Sequence, residues 1–134
     1  MRMAVAGVVG VVCAVAVIAA IELVSHAIYA PASPPDMNDP AAVAAFIQAM
    51  PLGAFLFVLG AYVAGTLAGG LVAALIARRH AARFAWVIAG LILLASAVNF
   101  LALPHPVWFV VATFVAVPLV AWLTGRAGQA LEPA

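Results

Sequence analysis

Residues 51–77 read PLGAFLFVLGAYVAGTLAGGLVAALIA, a stretch that contains no charged side chain. The hydrocarbon core of a bilayer is about 30 Å thick, and a helix needs roughly 20 apolar residues to cross it. The stretch exceeds that length and ends abruptly at Arg78, Arg79 and His80. It therefore predicts a membrane-spanning helix.

Three further stretches of the chain have the same apolar character. The first is too long for the apolar core of a signal peptide and is followed by no convincing cleavage site, so we expect it to be retained. The predicted transmembrane helices lie at about residues 3–29, 51–77, 84–103 and 107–124, joined by a segment at 30–50, a loop at 78–83 and a turn at 104–106, with a tail at 125–134.

The composition agrees with a membrane protein. Of the 134 residues, 69% are hydrophobic and 7% are charged, whereas soluble globular domains are about half apolar and about a quarter charged. A soluble fold of this size buries only about two-thirds of its surface and could not hide so much apolar side chain. These values exclude a soluble enzyme, a nucleic-acid binder and a disordered chain. We expect a single all-α integral membrane domain, residues 1–134, in a lipid bilayer.

The arginines predict the orientation of the bundle. In a four-span antiparallel arrangement, all of them fall on one side: Arg2, Arg78, Arg79, Arg83 and Arg126. The positive-inside rule then places both termini in the cytoplasm. Small four-span inner-membrane proteins of bacteria are generally similar to this pattern, so we expect the chain in an inner (plasma) membrane.

The outward segment at 30–50 is expected to contain a short helix. Pro31 and the prolines that follow prevent the first span from continuing. Asp39 and Pro40 are typical of a helix N-cap and of the first helical position. We predict a helix from Ala41 to Met50 that lies in the interface or folds back over the bundle. Packing is favoured over a role as a lid.

Small residues predict how the helices associate. Lipid gives helices no hydrophobic reason to meet, so close contacts depend on small side chains. The second span carries such residues at every fourth position, namely Ala61, Gly65, Gly69, Ala73 and Ala77, and the first span offers Ala6, Gly10 and Ala14. Contact within one chain is the favoured interpretation, and the alternative is the seam of a homo-oligomer.

The candidate functional residues are the polar side chains at membrane depth, where charged groups are costly and usually serve a function. Glu22 is the only acid within a span, and Ser25 and His26 share its helical face. Polar residues at similar depth near the third and fourth spans complete the candidate site, which comprises Glu22, Ser25, His26, Ser96, Asn99 and His105.

Three interpretations of this site remain open. It holds the helices together, or it binds or relays a proton, cation or small polar solute, with Glu22 and His26 sharing a proton near neutral pH. In the third, Glu22, His26 and His105 ligate a divalent metal ion that keeps one position open for water. No cofactor is firmly implied.

We favour a function in binding or transporting a small solute, cation or proton. The alternatives are a membrane-embedded metal-dependent enzyme that acts on a lipid or another apolar substrate, and an accessory subunit of a larger membrane complex.

Overall fold

Four long helices and one short helix make up the part of the chain that the structure, a computed structural model, describes, which is residues 1–31 and 33–132. The helices are α1 (Arg2–Tyr29), α2 (Pro40–Ala49), α3 (Leu52–Ala77), α4 (Ala81–Ala102) and α5 (Val107–Gln129). All except α2 are long and apolar enough to cross a membrane. The predicted four-helix membrane bundle with one additional short helix is thereby confirmed.

The outside of the bundle is covered with large apolar side chains, as expected when lipid is the solvent. Leu101 is 90% exposed and Leu23 73% exposed, and many valines and leucines of all four long helices are similarly exposed. The interior is made mainly of small residues, and Ala61, Ala85 and Ala121 have no exposed surface. The helices of this bundle thus approach one another closely through small residues, and the large apolar side chains face the bilayer.

The α3–α4 connection is shorter than the predicted loop at 78–83. Arg78 and His80 adopt left-handed backbone conformations, with φ of 55° and 59°, and the Arg78 N–H donates to the Ala74 carbonyl at 2.8 Å. The chain therefore reverses within residues 78–80, and α4 begins at Ala81. Arg83 lies in the first turn of α4, because arginine is a good helix former even where hydropathy marks a boundary.

The carboxyl terminus also differs from the expected tail at 125–134. Helix α5 continues to Gln129, since Gly125 and Gly128 are buried against the start of α4. Beyond it, the Glu132 side chain accepts a hydrogen bond from the Ala81 N–H at 2.7 Å. A carboxylate at this position caps the first turn of α4 and interacts favourably with the helix dipole.

Helix α3 is the centre of the bundle. It packs against α1, α4 and α5, whereas α1 packs almost entirely along α3 and meets α4 only slightly. The strip of small residues on α3 makes the α1 contact: a Cβ added to Gly69 would lie 2.7 Å from the Ala14 Cβ, and one added to Gly10 would lie 2.7 Å from the Ala73 Cβ. The strip is therefore covered by α1 of the same chain.

Helix α2 covers one end of the bundle. The Asp39 carboxylate accepts from the Ala41 N–H at 2.9 Å, and Pro40 occupies the first turn, so the predicted capping is confirmed. Val43 and Ile47 are buried in a cluster with Phe55 and Phe109. We call this the α2 end. The opposite end, which carries Met1, Glu132, residues 78–80 and every arginine, is the arginine end.

Candidate functional site

A chamber of about 210 Å³ lies inside the bundle at the α2 end. Helices α1 and α3 each contribute several of its wall residues, whereas α4 contributes only Asn99 and α5 only Phe109. Phe46 of α2 and Met50, the residue that follows this helix, also line the chamber, so the short helix forms part of its wall. Of the predicted site residues, the chamber brings together Glu22, Ser25, His26, Asn99 and His105.

Helix α1 supplies the polar wall of the chamber. Ser25 and His26 follow Glu22 by three and four positions, so the three side chains share one helical face. Ser25 is buried, Glu22 is partly buried and His26 is exposed. At 1.5 Å rise per residue, Glu22 lies about 10 Å along the axis from the end of α1 at Tyr29. The carboxylate is therefore well inside the apolar part of the helix.

The His26 ring is bound to its own helix. Its Nδ1 lies 2.8 Å from the Glu22 backbone carbonyl oxygen, and because a carbonyl only accepts, Nδ1 donates and Nε2 is the accepting nitrogen of the neutral ring. The Glu22 carboxylate takes no part in this bond. Among the described residues, no side chain or backbone group forms a hydrogen bond or ion pair with that carboxylate. The Glu22 carboxyl group therefore has no hydrogen-bonding partner among the described residues.

His105 is fixed by its turn and by aromatic rings. Its Nδ1 lies 2.9 Å from the Leu103 carbonyl oxygen, so this nitrogen also donates to the backbone. The ring stacks on Phe109, with centroids 5.8 Å apart and planes at 24°, and meets the edge of Phe100 at 4.9 Å. Further ring contacts among Phe55, Phe100, Trp108 and Phe109 hold the aromatic rings at the α2 end in defined orientations.

The aromatic wall of the chamber is a feature that sequence analysis missed. It consists of Tyr29, Phe46, Phe55, Tyr62 and Phe109. Phe55 packs against Phe109 with ring centroids 5.2 Å apart and against Trp108 at 5.8 Å. The spacing of Phe55 and Tyr62, seven residues apart on α3, was the available signal, because such residues lie on one helical face.

Ser96 does not line the chamber, although its depth led us to include it in the candidate site. Its hydroxyl donates to the Ile92 carbonyl at 2.8 Å, one turn back along α4. The side chain lines a neighbouring groove between α1 and α4. The donor of this serine is satisfied within its own helix, and Ser96 lies beside the Tyr62 side chain, which lines the chamber.

The described residues contain no group of three histidine, cysteine, aspartate or glutamate side chains placed to hold a metal ion. Glu22, His26 and His105 share the chamber walls, and each histidine directs Nδ1 to a backbone carbonyl, which leaves Nε2 as the nitrogen free to bind a ligand. The three side chains are not assembled into a metal site among the described residues.

The chamber as a whole combines one unpartnered carboxylate, two histidines held by their own backbone and five aromatic rings. No protein-family model, curated protein or solved structure matches the chain.

Proposed function

We propose that this chain is an integral protein of an inner (plasma) membrane, with both termini in the cytoplasm, whose chamber lies in the outer leaflet and binds a small cation for passage into or across the bilayer. The observation that carries the proposal is the Glu22 carboxylate, which faces the chamber without a hydrogen bond or an ion pair from the described residues. The orientation follows from the arginines, all of which lie at the arginine end.

A positive ligand is favoured because the protein leaves the cost of Glu22 uncompensated. A charged side chain at the centre of a transmembrane helix costs about 2.5–3.5 kcal/mol on insertion scales. A structural carboxylate would recover that cost through partners on adjacent helices, as buried charges usually do. Here the helical neighbours Ser25 and His26 are the only polar side chains close to it on α1. A cation that enters the chamber would supply the missing partner.

The size of the chamber favours a small ligand. Pockets for drug-sized molecules are about 300–1,000 Å³, and this chamber has about 210 Å³. Asn99 and the accepting Nε2 atoms of His26 and His105 provide further polar contacts around its wall. A proton is the smallest cation that such a site would take, and Glu22 and His26 are the groups that would carry it.

The test is thermal stabilisation of the purified full chain by small cations, because a ligand that binds only the folded state raises the free energy of unfolding, by about 2.7 kcal/mol at a hundred times its dissociation constant. Ammonium, guanidinium and tetramethylammonium chloride serve as probes at constant ionic strength. We expect at least one of them to raise Tm for the wild type and not for Glu22→Gln.

Asp36→Asn is the matched control, since Asp36 bonds to Asn38 in the loop outside the chamber. Loss of this carboxylate should leave the rise in Tm with the cation unchanged. Equal stabilisation of Glu22→Gln, or of the wild type by neutral solutes of the same shape, contradicts the proposal.

A further inference from the structure

A long groove separates α1 from α4. It exists because α1 follows the small-residue strip of α3 and therefore stands apart from α4. Its middle part is a recess of about 250 Å³. The walls are apolar and come from both helices: Val11, Val15 and Ile18 on α1, and Ile88, Leu91 and Ile92 on α4.

The groove and the chamber are adjacent. Tyr62 and Asn99 line both of them, so these two side chains lie at the boundary that a ligand reaching from the chamber into the groove would cross. The combined space is polar and aromatic at the α2 end and apolar for the rest of its length. At the rim, Val15 is 59% exposed and Leu91 48% exposed, so the groove is open laterally to the surrounding lipid.

We propose that chamber and groove form one site for an amphiphilic ammonium ion, whose cationic head lies in the chamber and whose single alkyl chain lies in the groove. This inference rests on the proposed function and names the class of cation. The ligand enters sideways from the bilayer, with its chain already in lipid.

The chamber suits an ammonium head that is fully alkylated. Cations are attracted to the faces of aromatic rings, and cages of such rings recognise quaternary ammonium groups. The chamber offers five aromatic side chains beside the Glu22 carboxylate. A quaternary head donates no hydrogen bond, so the Glu22 carboxylate and the aromatic ring faces, and not the accepting Nε2 atoms of His26 and His105, would hold it.

The same charges argue against a phospholipid head. A phosphate would lie beside the Glu22 carboxylate, and among the described residues the arginines are all at the opposite end of the bundle. Like charges at close range are unfavourable in a low-dielectric site. The site therefore selects a cation and rejects a zwitterion of similar shape.

The groove suits one extended chain. From Glu22 to Val11, helix α1 rises about 16 Å at 1.5 Å per residue, and wall residues between these positions are apolar. A chain that moves from lipid into an apolar groove gains little hydrophobic free energy. The alkyl chain therefore contributes to binding through its steric fit in the groove. Blocking the groove should prevent binding of long-chain ligands and leave binding of short ones unchanged.

The experiment measures displacement of radiolabelled tetramethylammonium from the full chain in nanodiscs of phosphatidylethanolamine and phosphatidylglycerol. Decyltrimethylammonium is the competitor. Val15→Trp fills the groove, and Val12→Trp is its matched control, because Val12 is 61% exposed on the same helix and does not line the groove. Partitioning of the competitor into lipid is the same for both variants, so it cancels in the comparison.

We expect Val15→Trp to weaken competition by decyltrimethylammonium about tenfold relative to Val12→Trp, because overfilling a packed space excludes the chain. Binding of tetramethylammonium itself should agree between the two variants to within about twofold. Decylphosphocholine should compete poorly in both.

The outcomes separate the two proposals. If none of ammonium, guanidinium and tetramethylammonium binds the wild type, the proposed cation-binding function is overturned, and the inference with it. If tetramethylammonium alone fails to bind, the inference alone is overturned. Normal tetramethylammonium binding with equal decyl competition in Val15→Trp and Val12→Trp overturns the inference alone, and would leave the groove for a helix of another polypeptide. Strong competition by decylphosphocholine overturns the assignment of a cationic head.

Discussion

The two ends of the bundle are packed in opposite ways. At the arginine end, helices meet through their backbones: a Cβ added to Gly128 would lie 2.6 Å from the Ala81 Cβ, and one added to Gly70 would lie 2.6 Å from Thr124 Cγ2. At the α2 end, aromatic rings such as those of Phe55 and Phe109 separate the helices, with centroids 5.2 Å apart. Small residues remove space between helices, whereas large flat ones hold helices apart and leave a chamber.

The ends also use their charges differently. Arg2 donates to the Ile76 carbonyl at 2.7 Å and Glu132 accepts from the Ala81 N–H at 2.7 Å, so both side chains satisfy backbone groups at helix ends. Glu22 satisfies no such group among the described residues. The comparison teaches that charged side chains satisfy helix ends at the arginine end, whereas the carboxyl group at the α2 end makes no such bond, as the proposed cation site requires.

The largest expected effect on stability concerns the close contact between α1 and α3, on which both ends of the bundle depend. Gly69→Leu should reduce the free energy of unfolding by about 3 kcal/mol, because overfilling a packed interface forces the helices apart. Gly60→Leu is the control, since a Cβ at Gly60 meets nothing within 4 Å. The measurement is reversible denaturation in mixed micelles followed by circular dichroism. Equal loss for both variants would show that α1–α3 packing is not the main source of stability.

The second prediction tests whether Glu22 is a structural group. Glu22→Leu should raise the free energy of unfolding without ligand by about 1 kcal/mol, because it removes an uncompensated charge from an apolar region. A carboxylate that held helices together would give the opposite sign when lost, since its partners would be left unsatisfied. The same denaturation assay reads the sign, with Glu22→Gln as the isosteric comparison. A clear loss of stability in Glu22→Leu would assign the residue to the fold.

The third prediction tests the charge at the arginine end. Glu132→Ala should cost about 1 kcal/mol, because the first turn of α4 loses its side-chain cap. Gln129→Ala alters an exposed residue near the same terminus and should change stability by less. Amide hydrogen exchange at Ala81 gives a local measurement: it should accelerate only in Glu132→Ala. Unchanged exchange would contradict the capping contact.

The smallest effect compares two fully buried threonines of α5. The Thr113 hydroxyl donates to the Phe109 carbonyl at 2.9 Å, whereas Thr124 Oγ1 is buried without a partner among the described residues. Replacing an unsatisfied group with an apolar one of the same shape is neutral or stabilising. Thr124→Val should therefore leave stability unchanged or raise it by up to about 1 kcal/mol, while Thr113→Val should lower it slightly. The opposite order in thermal unfolding would disprove the assignment.

Hydropathy was sufficient to predict the long helices, because length and apolarity alone determine what crosses a bilayer. Depth along each helix also placed Glu22, Asn99 and His105 at one height, and these residues do line one chamber. Depth is only one coordinate, however. Ser96 has a similar height but faces the groove, because the direction of a side chain around its helix depends on which helices are neighbours.

The neighbour relations could be predicted only in part. The spacing of small residues favoured contact within one chain, and α1 does pack on α3 through these residues. The spacing does not specify that α1 stands apart from α4, and the groove follows from that arrangement. The capping by Glu132 was missed for a related reason: its partner, Ala81, is fifty-one positions away in the chain. Contacts of this kind depend on where helix ends meet in space.

The attachment of α1 along one neighbour has a mechanical consequence. The helix that carries Glu22 is joined to the remaining helices mainly by a single seam of small residues on α3. Because α1 meets α4 only slightly, a change in the tilt of α1 would alter the spacing between α1 and α4 and leave the α3–α4–α5 contacts intact. The wall that bears Glu22 is thus attached to the other long helices mainly through one interface.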